Sequence, residues 1–186
     1  MGRTLPTLIL VAFAAACGVA VAQDFYWRDR AGKPAPNVDA RKSLRGFGSW
    51  LIVTSDGDWE AKWNIPDEQA TPTFKEAESL RYGDTVVALV FIGNPRRDAR
   101  GDVNVRCDFR VTRPNGSISV DQRDLSCLSG HLPGDPLSLR LATHTLKFVG
   151  EKGDPLGTWN FDVAVHDAES GVVLNLHTSV ELRDDG

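Results

Sequence analysis

Between Leu156 and Leu182 the chain alternates apolar and polar residues over two runs separated by a short turn. Trp159, Phe161, Val163 and Val165 occupy every second position, and the step resumes with Leu174, Leu176, Val180 and Leu182 after the turn residues 167–171. A period of two places successive side chains on opposite faces of an extended strand, so both runs read as strands with one buried face. Asn175, His177, Ser179 and Glu181 then fall on the solvent face. If Val165 pairs with Leu174, His177 lies opposite Asp162 and His166 opposite Val173. An isolated hairpin is marginal in water, so its apolar face predicts further strands packed over it.

The rest of the chain supplies them. Residues 47–54 (Phe-Gly-Ser-Trp-Leu-Ile-Val-Thr) are aromatic and β-branched, as a first strand would be. Residues 85–92 are apolar on both faces, which predicts a central strand covered on both sides. In 102–112, Val103, Val105, Cys107, Phe109 and Val111 alternate with Asn104, Arg106, Asp108 and Arg110. The sequence Arg113-Pro-Asn-Gly116 is a turn signal, with Ile118 and Val120 opening the return strand. Residues 137–148 read as one strand whose inward parity changes, predicting a bulge near Thr143 and His144. The sum is an all-β, two-sheet antiparallel sandwich of about seven strands, immunoglobulin-like, over residues 47–186.

One segment breaks the period. Asp58 is placed as an N-cap, and Trp59 and Trp63 are four residues apart, on one face of a single helical turn that Pro66 stops. The paired indoles either roof a core or form an exposed aromatic platform. A large exposed apolar patch is uncommon, which favours the roof.

The first 22 residues have the layout of a secretory signal: Arg3, an apolar run from Leu8 to Ala16, and Ala20-Val21-Ala22 ahead of Gln23. Cys17 after three alanines offers lipoprotein processing as the rival. The expected location is therefore periplasmic or extracellular, with Cys17 anchoring as the minor route. Residues 23–46 hold Arg28, Arg30, Lys33, Arg41, Lys42 and Arg45 against three acids, with Pro34 and Pro36, and read as a basic linker or loosely docked arm. Its aromatic triplet Phe25-Tyr26-Trp27 is expected to pack back on the domain. The formal charge of the chain is −4, which argues against nucleic acid as a partner. Export leaves two cysteines, Cys107 and Cys127, expected as a disulfide because two thiols fall short of a structural zinc set. Cys127 is placed in an irregular segment that the bridge would pin to the sheet.

Residues 154–167, followed by Ser170-Gly171 and a Val-x-Leu-x-Leu repeat, resemble the closing hairpin of immunoglobulin-like, fibronectin-III-like and macroglobulin-like bacterial modules. The layout as a whole resembles uncharacterised exported proteins of Gram-negative bacteria. The resemblance implies a sandwich and a habit of mediating contacts, and brings no catalytic residues. Cys107 and Cys127 are too close in sequence to be the inter-sheet bridge of antibody domains.

No nucleophile elbow, zinc-protease helix or phosphate loop occurs. Asp162 with His177 forms half of an acid-base or metal site, with His144 as the conceivable third member, while His131 sits in a Gly/Pro loop. Asp98, Asp102 and Asn104, or Asp56 and Asp58, are oxygen ligands of the type calcium uses, without EF-hand spacing. The tripeptide Arg100-Gly101-Asp102 is short enough to recur by chance. These readings point to a non-enzymatic interaction module of the cell envelope, without cofactor, metal site or catalytic residues, binding a protein partner through loops, the edge beside the terminal hairpin or the Trp59/Trp63 turn. The alternative is a polysaccharide or cell-wall ligand bound through exposed Trp59, Trp63 or Trp27. A metal-dependent enzyme is the third class.

Overall fold

The computed structural model describes residues 25–29, 31–65 and 72–184. The expected signal segment 1–22 with Cys17, the arm residue Arg30 and the helix stop Pro66 lie outside the described residues. Among the described residues, ten strands and one short helix form a two-sheet sandwich. The first sheet holds β1 (Arg41–Leu44), β2 (Phe47–Thr54) and β4 (Thr85–Gly93), with β7 (Arg140–Leu141) and β8 (Leu146–Val149) both on the far side of β4. The second runs β3 (Ser79–Arg81), β10 (Val172–Arg183), β9 (Gly157–Asp167), β5 (Asp102–Thr112), β6 (Ile118–His131).

The terminal hairpin takes the register its alternation demands. Leu174 pairs with Val165, His177 with Asp162 and Val173 with His166. Its inward residues Trp159, Phe161, Val163, Val165, Leu174, Leu176, Val180 and Leu182 are all buried, and face Leu51, Val53, Val86, Val90 and Ile92 of the first sheet. At the tight end, Asp167 is 1% exposed; its Oδ2 accepts from the Arg96 amide at 3.0 Å and the Ser170 hydroxyl at 2.6 Å. The carboxylate therefore ties the β9–β10 turn to the loop after β4.

Four expectations are corrected. The domain begins before residue 47: β1 lies inside the stretch read as an arm, where the usual pattern is inverted, Ser43 being buried and Leu44 exposed. The sandwich is not wholly antiparallel, because β3 adds to β10 in parallel at Ser79–Glu181, too short a strand to show a pattern. Residues 137–148 form two strands, not one bulged strand. Between β7 and β8 the chain leaves the sheet, and the Thr143 amide donates to the Cys127 carbonyl at 2.7 Å, bridging the two sheets. Finally, Cys127 is not in an irregular segment. It lies within β6, at the register shift where Ser126 pairs with Arg106 and Leu128 with Val105. This bulge points Cys127 inward, and the Cys107–Cys127 disulfide joins adjacent strands with Cα atoms 5.8 Å apart and both residues fully buried.

Candidate aromatic cleft

The outer face of the first sheet is the unusual surface of this sandwich. Down β2 and β4 the outward cross-strand pairs are Gly48–Gly93, Trp50–Phe91, Ile52–Leu89 and Thr54–Val87. Ile52, Leu89 and Phe91 are almost wholly buried, which a solvent-facing sheet surface would not allow. They form a second apolar cluster with Trp50, Trp59, Trp63, Phe74, Val87, Leu139 and Leu141. This is why β4 reads apolar on both faces.

Two segments roof it. The helix α1 (Trp59–Trp63) lays both indoles on the cluster, with the Trp63 ring 5.2 Å from Phe91. Asp58 occupies the N-cap position without a side-chain cap bond; its carboxylate pairs with Lys62 at 3.1 Å. Residues 72–77 are clamped alongside: the Thr54 hydroxyl donates to the Lys75 carbonyl at 2.8 Å, and Asp56 Oδ2 accepts from the Lys75 amide at 2.9 Å. The clamp sets Phe74 on Phe91 at 5.6 Å. Hydrogen bonds from Lys62 and then from the Lys75 amide hold the Asp56 carboxyl below its ordinary range.

Between α1 and Phe74 on one side and residues 138–141 on the other lies a cleft of about 740 Å³. Trp50, Ile52 and Phe91 floor it, Trp63 and Phe74 form one wall, and Leu139 and Leu141 the other, with Thr73, Ser138 and Arg140 at polar positions. Among the described residues the lining holds no carboxylate, imidazole or thiol.

The three tryptophans singled out from sequence do not share one surface. Trp63 lines the cleft, whereas Trp59 borders a separate polar cavity with Asp56, Thr85 and Lys147. Trp27 donates its indole N–H to the Lys42 carbonyl at 2.9 Å, stands edge-on to Trp50, and lies under the Arg41 guanidinium. All three are half-buried. Sequence reasoning passed over Trp50, Phe91 and Leu139, which the cleft depends on. The usable signal was Gly48, Trp50 and Ile52 on the face of β2 that should have been polar.

The histidines and acids stay dispersed. His177 Nδ1 lies 2.8 Å from Asp162 Oδ1, and His166 Nε2 lies 3.3 Å from Asp108 Oδ2, both on the outer face of the second sheet. Ala164 stands between Asp108 and Asn175 in register, leaving a polar dent of about 350 Å³ lined also by Lys42, Arg110 and His177. His144 is not among the groups that line this dent, and His131 pairs loosely with Asp102 at 3.6 Å. Asp98 Oδ1 is taken up by the Arg100 and Asp102 amides, which keep its carboxyl below the ordinary range and shape the loop carrying Arg100-Gly101-Asp102. Among the described residues, no three or more His, Cys, Asp or Glu side chains are grouped to hold a metal.

The edge beside the terminal hairpin is not open. β3 covers the end of β10, and the His177 amide donates to the Asp39 carbonyl at 3.0 Å. At the opposite edge, β6 carries three register irregularities and the charged residues Asp121, Arg123 and Asp124, features that blunt strand addition.

Fold and surface together define a disulfide-bridged, two-sheet β-sandwich module with an aromatic cleft on one outer face. Among the described residues no helix is long and apolar enough to cross a membrane. No protein-family model matches the chain, and no curated protein does. Solved structures align distantly. A family 123 glycoside hydrolase from Clostridium perfringens covers 73% of this chain at 10% identity and a TM-score of 0.39, the chain spanning 27% of that protein's length. The CARDB domain of a Pyrococcus furiosus protein, in complex with di-metal ions, covers 79% of this chain and 97% of its own, at 12% identity and a TM-score of 0.35. A Niemann-Pick type C2 protein from the Japanese carpenter ant covers 72% and 89%, at 11% identity and a TM-score of 0.33. At such values no site is carried over to this chain.

Proposed function

We propose that the chain is an exported, non-enzymatic interaction module that binds a protein partner of the cell envelope by taking large apolar side chains into the aromatic cleft. The observation that carries this reading is the cleft itself: about 740 Å³, floored by Trp50, Ile52 and Phe91, on a sheet face that is polar in most one-sided sandwiches. Aromatic anchor pockets of this kind dominate protein interfaces energetically. Among the described residues the lining is mainly aromatic and aliphatic, which suits apolar contact. Export is supported by the intramolecular disulfide, a bond that persists in oxidising compartments. A protein partner is favoured over a sugar because the cleft is lined mainly by apolar side chains, with Thr73, Ser138 and Arg140 as its polar positions.

The test is affinity capture from the native envelope by three forms of the chain. Leu139→Arg places a charge in the cleft wall, and Val173→Arg places one on the exposed outer face of the other sheet. At least one protein should be retained by wild type and Val173→Arg and lost by Leu139→Arg. Identical retained sets for all three would overturn the cleft, and retention of glycan alone would replace the protein by a polysaccharide ligand.

A further inference from the structure

The stretch leading into β1 ends its course against the same cleft. Gly48 and Gly93 face each other across β2 and β4, and the missing side chains leave a notch that the Tyr26 ring fills. A Cβ at Gly48 would stand 2.4 Å from that ring and one at Gly93 2.1 Å, so no other residue fits at either place while Tyr26 is seated. From the notch the Tyr26 hydroxyl donates to the Leu137 carbonyl at 2.7 Å, two residues from the wall residue Leu139. Trp27 follows, its ring 4.8 Å from Tyr26 and 6.1 Å from the floor residue Trp50. Two consecutive aromatic residues thus contact the segment that leads into the wall and the floor residue Trp50. Beyond the two rings its ties are polar: of residues 31–40 only Ala35 is buried, Asn37 Oδ1 accepts from the Ser43 amide at 2.8 Å, and the Asp39 and Ala40 carbonyls accept from the His177 and Leu51 amides at 3.0 and 2.8 Å. Elements with few buried contacts sit at the low-stability end of a fold and are the ones that move.

We propose that this strap sets one wall of the aromatic cleft from behind: seating of Tyr26 fixes the Leu137–Leu139 segment, so strap docking and occupation of the cleft by an apolar ligand strengthen each other. The inference rests on the cleft being the binding surface. Reciprocity is a thermodynamic requirement, since a ligand that favours the docked strap is favoured by it to the same degree. Freeing the strap therefore weakens the cleft without touching any residue that lines it.

Gly93→Ala is the sharp perturbation, because Gly93 has no positive φ and the three atoms nearest the added methyl all belong to the Tyr26 ring. Tyr26→Ala reaches the same end from the other side and serves if Gly93→Ala does not fold. The fluorescent dye anilinonaphthalene sulfonate is titrated into wild type, Gly93→Ala, Tyr26→Ala and Leu139→Arg, with amide exchange of residues 25–40 followed in parallel. The expected result is faster exchange of the strap and dye affinity lower by about fivefold or more in the two strap variants. Saturating dye should slow strap exchange in the wild type. A strap freed in these variants with dye affinity within about twofold of wild type overturns this inference alone. Equal dye binding by wild type and Leu139→Arg removes the cleft reading and this inference with it.

Discussion

Phe91→Ala tests whether the outer aromatic layer is a true second core. Phe91 is 1% exposed and its ring lies 6.1 Å from Trp50, 5.2 Å from Trp63 and 5.6 Å from Phe74. Removing a phenyl ring of this kind returns on the order of 150 Å² of apolar surface to water, about 4 kcal/mol at roughly 25 cal/mol per Å². Three ring–ring contacts are lost besides, each worth about 0.5–1.5 kcal/mol. Against these terms, the cleft beside Phe91 lets water or a shifted Trp63 fill part of the gap, so the cavity penalty is smaller than in a sealed interior. The half-buried partners Trp50, Trp63 and Phe74 can also close in, re-covering part of that surface and keeping part of those contacts, so the net expectation is a loss of about 3–5 kcal/mol, as is usual for a buried Phe→Ala, with Phe91→Leu costing about 1–1.5 kcal/mol. Urea unfolding followed by circular dichroism gives the stability, and acrylamide quenching of tryptophan reports whether α1 still covers the sheet. Quenching should rise in Phe91→Ala and stay at the wild-type level in Phe161→Ala, which costs a similar amount in the main core. A cost under about 1 kcal/mol for Phe91→Ala, or unchanged quenching, would refute the claim that the outer face is packed.

Three more predictions follow from the same geometry. Replacing Cys107 and Cys127 together by alanine removes a cross-link over a sequence separation of 20 and should cost about 3 kcal/mol in denaturant unfolding; a change under about 1 kcal/mol would contradict it. Asp167→Ala strands the Arg96 amide and the Ser170 hydroxyl at a half-buried turn, and should cost about 1–2 kcal/mol with faster amide exchange at Arg96; protection kept at Arg96 would contradict the clamp. Burial pushes the Tyr26 phenol above its ordinary value of 10.0, with Asp135 adding and Arg140 opposing. A raised folded-state pKa means that strap docking is intact below the ordinary value and is lost as pH rises through the raised one. In Tyr82→Phe, which leaves Tyr26 as the remaining tyrosine, tyrosinate absorbance should appear above pH 10.0 together with faster exchange of residues 25–40; titration at or below that value would contradict the seated ring.

How far the fold was legible depends on how many residues each pattern had to speak with. The β9–β10 register, the outward Asp162–His177 pair and the turn ending at Gly116, whose φ is +83, all follow from long alternation or from a turn signature with one conformational solution. β1, β3 and β7 have two to four residues each, too few for a period to emerge, and they form because a longer neighbour offers unpaired amides and carbonyls. Cys107 and Cys127 were readable as a pair, yet the bulge that turns Cys127 inward is set by the pairing of β6 with β5. The cleft was less legible. Trp59 and Trp63 marked the roofing helix, and the doubly apolar β4 marked something to be roofed, but nothing local joins Trp50, Phe74 and Leu139.

What this sequence determined by itself was which faces of which strands seek cover, because side-chain alternation is a property of a few consecutive residues and the demand to bury them is local. What only the tertiary structure decided was who provides that cover. The Gly48–Gly93 notch, the seat of Tyr26 and the two walls of the cleft exist because β2 pairs with β4 and brings distant segments over one surface. Contacts of that kind depend on the packing of the whole chain, and no stretch of it encodes them alone.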